Sequence, residues 1–568
     1  MNRCIDQTLA QKHENAIISF KNILLFIQVL LWTFLALQLF MRLENPLLWN
    51  DEAETAMYGE RILKFGYPKV NDGKNMLYLL CPWLEFGTIN NTGYVGSGWI
   101  QYYTCSIGVW IAGFFKDFSL KTFFIRLPFT LIGFFSLIGF NNLLRKMYKE
   151  NYKHFISIIF LVFLNFHTQI ILYFREARYY SLISLGLYLL LNNLLSNKCD
   201  SRKYFQYLLI NLFNFNCFYP FAVISFLYSF PFLFFEGFRK KTKNYITTLI
   251  SIFSTGFGFI CFYYFYHISK SQAALKKIFF GTSWINKISF IVKSVFKLDY
   301  IIIIILFALI HAILRYLFFK KNKPKKPILH AYIYLGFILF FILLSSFAHV
   351  IFIRYFLVLH ILAILIVSIF LMETIVYIRN INILRVKILS LFLLVCVIMF
   401  DFILHKDFHK PKQMIKSLLV QYKGPIDVGI DFLHKNFPNI SSMTLATNIE
   451  EPCYMYYLNV KVIMGLMKPN FIEDIKLSPD IIIYRKHHNY YFGNENELTH
   501  MEIFNKYLKN GTYKSLSFPI VDLQFNNFPS LLGDPVHAFS SNYSNDNAQK
   551  FNIIIKKELF DRMINHDK

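Results

Sequence analysis

Residues 99–115 read WIQYYTCSIGVWIAGFF, a stretch apolar enough to enter a bilayer and at the short end of the roughly 17 to 25 residues that cross one as a helix. Its placement decides the topology of everything that follows. The next basic connection carries Arg145, Lys146, Lys149 and Lys153, and later ones lie at 198–203, 239–243, 320–326 and 379–387. If 99–115 crosses the membrane, the first of these falls outside and the later loops invert with it. If it lies along the surface, all the basic connections share one side. Lysine and arginine are retained in cytoplasmic loops, so the second placement is chosen. Residues 41–121 then form one long outer loop that carries an interfacial helix.

The composition requires a membrane. Of 568 residues, 55% are hydrophobic, 19% aromatic and only 16% charged, and the mean hydropathy is +0.41. A water-exposed surface cannot be drawn from that pool. Disordered chains, collagen-like fibres, coiled coils and small disulfide scaffolds are excluded by the same figures. A net charge of +25 would point to nucleic acid in a soluble chain; here it marks loops facing anionic lipid, and no nucleic-acid partner is expected.

The first apolar run, Ile23 to Phe40, lacks a small-residue cleavage site and reads as an uncleaved span with a cytoplasmic N-terminus. Further runs at 122–144, 155–173, 179–195, 204–219, 221–237, 245–266, 300–319, 328–348, 351–372 and 388–405 bring the expected count to about eleven. One outer loop, 267–299, breaks the charge rule because it carries lysines that include Lys276 and Lys277. Either the topology fails there or the loop holds an anionic ligand. After Phe402 the composition turns globular, with β-like runs at Met443 to Thr447, Val460 to Met464 and Asp480 to Tyr484 separated by helical pattern. The expected fold is a polytopic α-helical membrane protein, residues 1–405, followed by a C-terminal α/β extracytoplasmic domain, residues 406–568.

Chemistry-bearing residues gather at one face of this topology. Trp49-Asn50-Asp51-Glu52-Ala53-Glu54 sits just outside the first span, with Tyr58 and Arg61 following. Acids at a membrane edge are costly unless wet or partnered. The plain reading is a helix start, with Asn50 or Asp51 as N-cap and acids complementing the dipole, and that role is compatible with catalysis. A second group is Tyr173-Phe174-Arg175-Glu176-Ala177-Arg178-Tyr179-Tyr180, and a third is Arg354-Tyr355. Interfacial anchoring would explain either arginine group alone. Acids facing arginines and lysines at one membrane surface suit a reaction in which a carboxylate activates a hydroxyl and cations stabilise a departing phosphate, as in glycosyl transfer from a lipid-linked sugar. The cysteines are scattered without metal-binding spacing, and the sequence demands no metal or other cofactor.

Asp51-Glu52-Ala53 with Arg61-Ile62-Leu63 and Gly66 resembles the first outer loop of the bacterial branch of the dolichyl-phosphate-mannose protein mannosyltransferase family, the aminoarabinose transferase-like enzymes. Gly98 to Tyr103 with Arg126-Leu127-Pro128, then Arg175 to Tyr180 and Arg354-Tyr355, resemble later motifs in the same order. Thr447 to Pro452 with Tyr456-Tyr457-Leu458 is similar to the outer domain of some members. The resemblance implies a C-type glycosyltransferase, family 39-like, that moves a sugar with inversion from a polyprenyl phosphate to a hydroxyl or amine of a lipid, glycan or protein at the outer face of a bacterial inner membrane. It implies Asp51 as base or acceptor-orienting group with Glu52 beside it. Some relatives carry an Asp where Tyr180 stands, and Glu176 is the candidate substitute.

From these readings Arg175, Arg178, Arg354, Lys276 and Lys277 are expected to hold the donor phosphate, and Glu176, Tyr180, Tyr355 and Tyr58 to line the pocket. The competing reading is a transporter or flippase for an anionic polyprenyl-linked lipid, disfavoured because the charges gather at one face rather than near the midplane.

Overall fold

The computed structural model describes residues 2–77, 83–85, 92–196, 201–239, 244–268, 334–342, 353–379, 415, 418–419, 423–465, 476–485, 500–522 and 550–566. The helices begin with α1 (Asn2–Phe40), α2 (Asn50–Phe65), α3 (Ile100–Ala112), α4 (Phe118–Met147) and α5 (Glu150–Phe166). They continue as α6 (Thr168–Phe174), α7 (Tyr180–Leu194), α8 (Ser201–Cys217), α9 (Tyr219–Arg239), α10 (Asn244–Phe265) and α11 (Leu357–Arg379). Among the described residues, Lys21–Phe40, Phe118–Met147, Tyr245–Phe265 and Leu357–Val376 are long and apolar enough to cross a bilayer, and α5 with α6 makes a fifth if that bent pair is one span. The expected spans 300–319 and 388–405 lie outside the described residues, and of 328–348 only 334–342 is described, as helix.

α1 lies against α5, and the seam carries polar bridges: Gln38 donates to Asn165 Oδ1 at 2.9 Å, and Gln28 meets His154 Nδ1 at 2.7 Å. Side-chain amides in an apolar bundle find partners on neighbouring helices because lipid offers none. α11 is the central element, with 94% of its apolar window buried.

The stretch that decides the topology forms a helix of 13 residues, about 20 Å long at 1.5 Å per residue and too short for a bilayer core of about 30 Å. Gln101, Tyr102, Cys105, Ser106, Gly108 and Val109 are buried on one side, where α3 packs on α2 and α4. A Cβ at Gly108 would fall 2.5 Å from the Phe124 carbonyl oxygen, so only glycine lets α3 approach α4 this closely. Tyr103, Ile107, Trp110 and Phe114 form an exposed apolar stripe along the opposite side.

The run 155–173, expected as one helix, breaks at His167, where α5 and α6 meet at 75°. His167 Nδ1 accepts from the Ile170 backbone N–H at 3.4 Å and so caps the restarted helix. The break leads the following turn, 175–179, to the start of α2, where the Ala177 N–H donates to Glu52 Oε1 at 2.8 Å.

Two small strands, β1 (Trp83–Glu85) and β2 (Thr92–Tyr94), pair antiparallel between α2 and α3. The C-terminal unit contains α12 (Pro425–Asn436), β3 (Thr444–Thr447), α13 (Glu451–Leu458), β4 (Lys461–Met464), β5 (Ile481–Ile483), α14 (His500–Asn510), β6 (Tyr513–Val521), β7 (Lys550–Lys556) and α15 (Lys557–His566). Its sheet has the order β4-β3-β5-β7-β6, with β4, β3 and β5 parallel and β5, β7 and β6 antiparallel. A boundary at 405 lies outside the described residues.

This unit docks on the segment that follows α1 through backbone groups. Asn75 donates to the Val460 carbonyl at 2.9 Å and accepts from the Val462 N–H at 2.8 Å, acting as a strand partner at the β4 edge. The Leu47 N–H donates to Asp427 Oδ1 at 2.8 Å and the Leu48 N–H to the Tyr457 hydroxyl at 3.0 Å. Buried Arg61 holds the intervening loop, donating to the Lys69, Val70 and Asn75 carbonyls and to Asp72.

Candidate active site

The N-cap of α2 is Trp49, ahead of both expected caps, Asn50 and Asp51, and Gly66 closes the helix in the left-handed region at φ +83°. Asp51 therefore sits inside the first turn, and its side chain reaches away from the helix. Oδ2 accepts from Arg354 Nη1 at 2.9 Å and lies 3.4 Å from Arg178 Nη2, while Oδ1 is 3.3 Å from Asn50 Nδ2. Arg178 also donates to the Asp51 carbonyl and to Thr55 Oγ1, both at 3.1 Å. Three distant elements thus converge on one carboxylate: α2, the α6–α7 turn, and the 3-10 turn Ile353–Phe356 ahead of α11. Burial alone would raise the Asp51 carboxyl, but Arg178 and Arg354 hold it below the ordinary range.

Glu52 is placed differently. It is fully buried, Arg126 grips it bidentately at 2.8 and 2.6 Å, and it accepts the Ala177 N–H. Arg126 also donates to the Leu43 and Pro46 carbonyls at 2.9 and 2.8 Å. A geometry this occupied ties α2, α4 and the α6–α7 turn together and presents no open face to a substrate.

The two arginines of the second motif also separate. Arg175 donates to the Gln38, Leu39, Met41 and Arg42 carbonyls at 2.7, 3.2, 2.8 and 2.8 Å, capping the end of α1. Glu176 is buried, and burial followed by the nearby Glu52 charge pushes its carboxyl well above the usual range. Tyr180 is buried, with its ring 4.9 Å from that of Tyr173. The hydroxyls of both tyrosines and Arg178 Nε are buried with no hydrogen-bond partner among the described residues. Tyr355 adjoins Arg354, its ring 4.9 Å from Phe218. Tyr58 packs instead between Tyr94 and Tyr102, at 4.7 and 4.9 Å. Lys276 and Lys277 lie outside the described residues.

One further acid belongs here. Glu54 follows Asp51 by three residues on α2, so both share a helix face. It is half-buried and makes no hydrogen bond or ion pair among the described residues. Burial pushes its carboxyl up to about 8; Arg178 and Arg354 oppose the shift, while Asp51 and Glu451 add to it. Glu451 comes from α13, which packs on α2, and its side chain would meet a Cβ at Gly465 at 2.9 Å. Glu54 is marked in the sequence by its spacing from Asp51, and Arg126 by being a cation inside the apolar run 122–144.

No protein-family model matches the sequence, and no curated protein matches it. In fold, the chain is similar to the apo crystal structure of ArnT from Cupriavidus metallidurans, at 11% identity and a TM-score of 0.48, over 83% of this chain and 94% of that one. ArnT is an aminoarabinose transferase, a C-type glycosyltransferase.

Proposed function

We propose that this protein is a multi-pass glycosyltransferase of a bacterial inner membrane, with about eleven spans and its C-terminal unit on the periplasmic side. It moves a sugar with inversion from a polyprenyl phosphate to a hydroxyl or amine of a lipid, glycan or protein. The observation that carries the reading is Asp51 held between Arg178 and Arg354 beside buried donors, Arg178 Nε and the Tyr173 and Tyr180 hydroxyls, that lack acceptors among the described residues. Buried donors without acceptors are costly, and phosphate oxygens would satisfy them.

The acceptor attacks the anomeric carbon from the face opposite the phosphate. As that bond forms, the bond from carbon to phosphate oxygen breaks, and Arg178 and Arg354 stabilise the polyprenyl phosphate that leaves. Asp51 fixes the two guanidinium groups and orients the acceptor. Glu52 and Arg175 hold the frame around them, and Lys276 and Lys277 add positive charge for the donor. A flippase would need its cations near the midplane, whereas these gather at helix ends. Comparison of deletion and parent cells tests the reading: loss of the protein should accumulate a lipid-linked sugar and remove one sugar from an envelope glycan or lipid. Unchanged pools of both would refute it.

A further inference from the structure

A group that takes a proton from an attacking hydroxyl needs a lone pair that no cation already holds. Asp51 meets that condition poorly: Oδ2 is shared by Arg354 and Arg178, and only Oδ1, which faces the neutral Asn50 amide, is clear of a cation. A proton on Oδ1 would cancel the charge that holds both guanidinium groups. Glu54 meets it: one turn further along the same face of α2, half-buried, and with no ion pair or hydrogen bond among the described residues. The charged groups around it are Asp51 on its own helix, Arg178 from the α6–α7 turn, Arg354 from the turn before α11, and Glu451 from α13 of the C-terminal unit.

We propose that Glu54 is the proton acceptor of the transfer reaction and that Asp51 serves to hold the arginines. This rests on the glycosyl-transfer reading. As the acceptor oxygen or nitrogen bonds to the anomeric carbon, its proton passes to the Glu54 carboxylate. The electron pair of the breaking carbon–oxygen bond leaves with the phosphate held by Arg178 and Arg354, and Glu54 afterwards returns its proton to water. Its two acidic neighbours sit on opposite sides of the α2–α13 seam, so the C-terminal unit helps to set the basicity of the group. A carboxyl raised to about 8 titrates close to neutral pH, where a general base is most effective.

The test uses purified full-length protein and synthetic polyprenyl-phosphate glucose, mannose, galactose and aminoarabinose, with water as the acceptor and release of polyprenyl phosphate as the signal. Wild-type turnover should climb with pH and level off near about 8. Glu54→Gln should lower kcat by at least roughly 100-fold with little change in donor KM and abolish the climb. Glu54→Asp should keep part of the rate with a displaced climb. Independently of any donor, dicyclohexylcarbodiimide, which modifies protonated carboxyls, should mark Glu54 of the wild-type protein at neutral pH, less so as pH rises past about 8, and should spare Asp51. A Glu54→Gln protein with wild-type rate and pH profile overturns the proposal, as does absence of the mark from Glu54; should that variant not fold, Glu54→Asp and the mark decide. If wild-type protein releases polyprenyl phosphate from none of the four donors while Glu54 is still marked, the glycosyl-transfer reading has failed and the proton-acceptor role falls with it.

Discussion

Adjacent acids on α2 carry different burdens. Glu52 is closed inside a bidentate pair with Arg126, so Glu52→Gln leaves a buried guanidinium without its counter-charge, which typically costs about 3 to 5 kcal/mol. The expected result is a fall in folded protein recovered in detergent; full recovery with selective loss of turnover would return Glu52 to the chemistry. Glu54 carries a pH signature. An unfolded Glu titrates near about 4.3 and the folded one at about 8, so across that window the folded state holds a proton that the unfolded state has released. Stability must therefore fall as pH rises through the window. Glu54→Gln should flatten that slope, measured by thermal unfolding at about pH 5 and about pH 8; an unchanged slope would place the titration elsewhere. Asp51 was legible because acids at a membrane edge need partners. The distinction between Asp51 and Glu52 was not, because it depends on which arginine each meets after about 75 or more intervening residues have folded.

At the scale of elements, the arginines of the α6–α7 turn make the clearest contrast. Arg175→Ala removes the donor that closes the end of α1 and should lower thermal stability by about 1.5 to 3 kcal/mol, the usual worth of hydrogen bonds from a charged group, while donor KM stays put. Arg178→Ala should raise donor KM several-fold with a smaller loss of stability. Equal effects of the two substitutions on KM would remove the distinction. Sequence placed both at a phosphate because an arginine's reach to a helix terminus elsewhere leaves no local pattern. Charge sidedness leads to an interfacial helix at 99–115; what forms there is a helix of 13 residues with an exposed apolar stripe. Strands β3, β4 and β5 start and end within a residue or two of the apolar runs that announce them. Strand β6 is marked by period-2 alternation, Leu516, Phe518 and Ile520 against Ser515, Ser517 and Pro519, and Pro519 fits its edge position. The break at His167 carries no Pro or Gly; its trace in the sequence is the polar group Asn165, His167, Thr168 and Gln169 inside an otherwise apolar run.

At the scale of the molecule, the outer loop and the C-terminal unit are joined by Asn75, Asp427 and Tyr457, so both belong on one side of the membrane. A reporter fused after Lys326 should read cytoplasmic and one after Lys412 periplasmic; the same compartment for both would break the shared face on which the site depends. That face is where a lipid-borne phosphate and an acceptor would meet Asp51, Arg178 and Arg354. A transferase consumes the lipid-linked sugar it binds, whereas a flippase only relocates it. The most direct measurement follows one synthetic polyprenyl-phosphate sugar in proteoliposomes containing wild-type protein or Asp51→Asn, scoring cleavage and leaflet exchange together. Asn caps a helix about as well as Asp, so loss of function cannot be ascribed to a lost cap. Wild-type protein should cleave the donor without accelerating exchange, and Asp51→Asn, which releases the two arginines from their counter-charge, should cleave it at least roughly 100-fold more slowly. Accelerated exchange without cleavage, or an Asp51→Asn protein as active as wild type, would contradict the assignment.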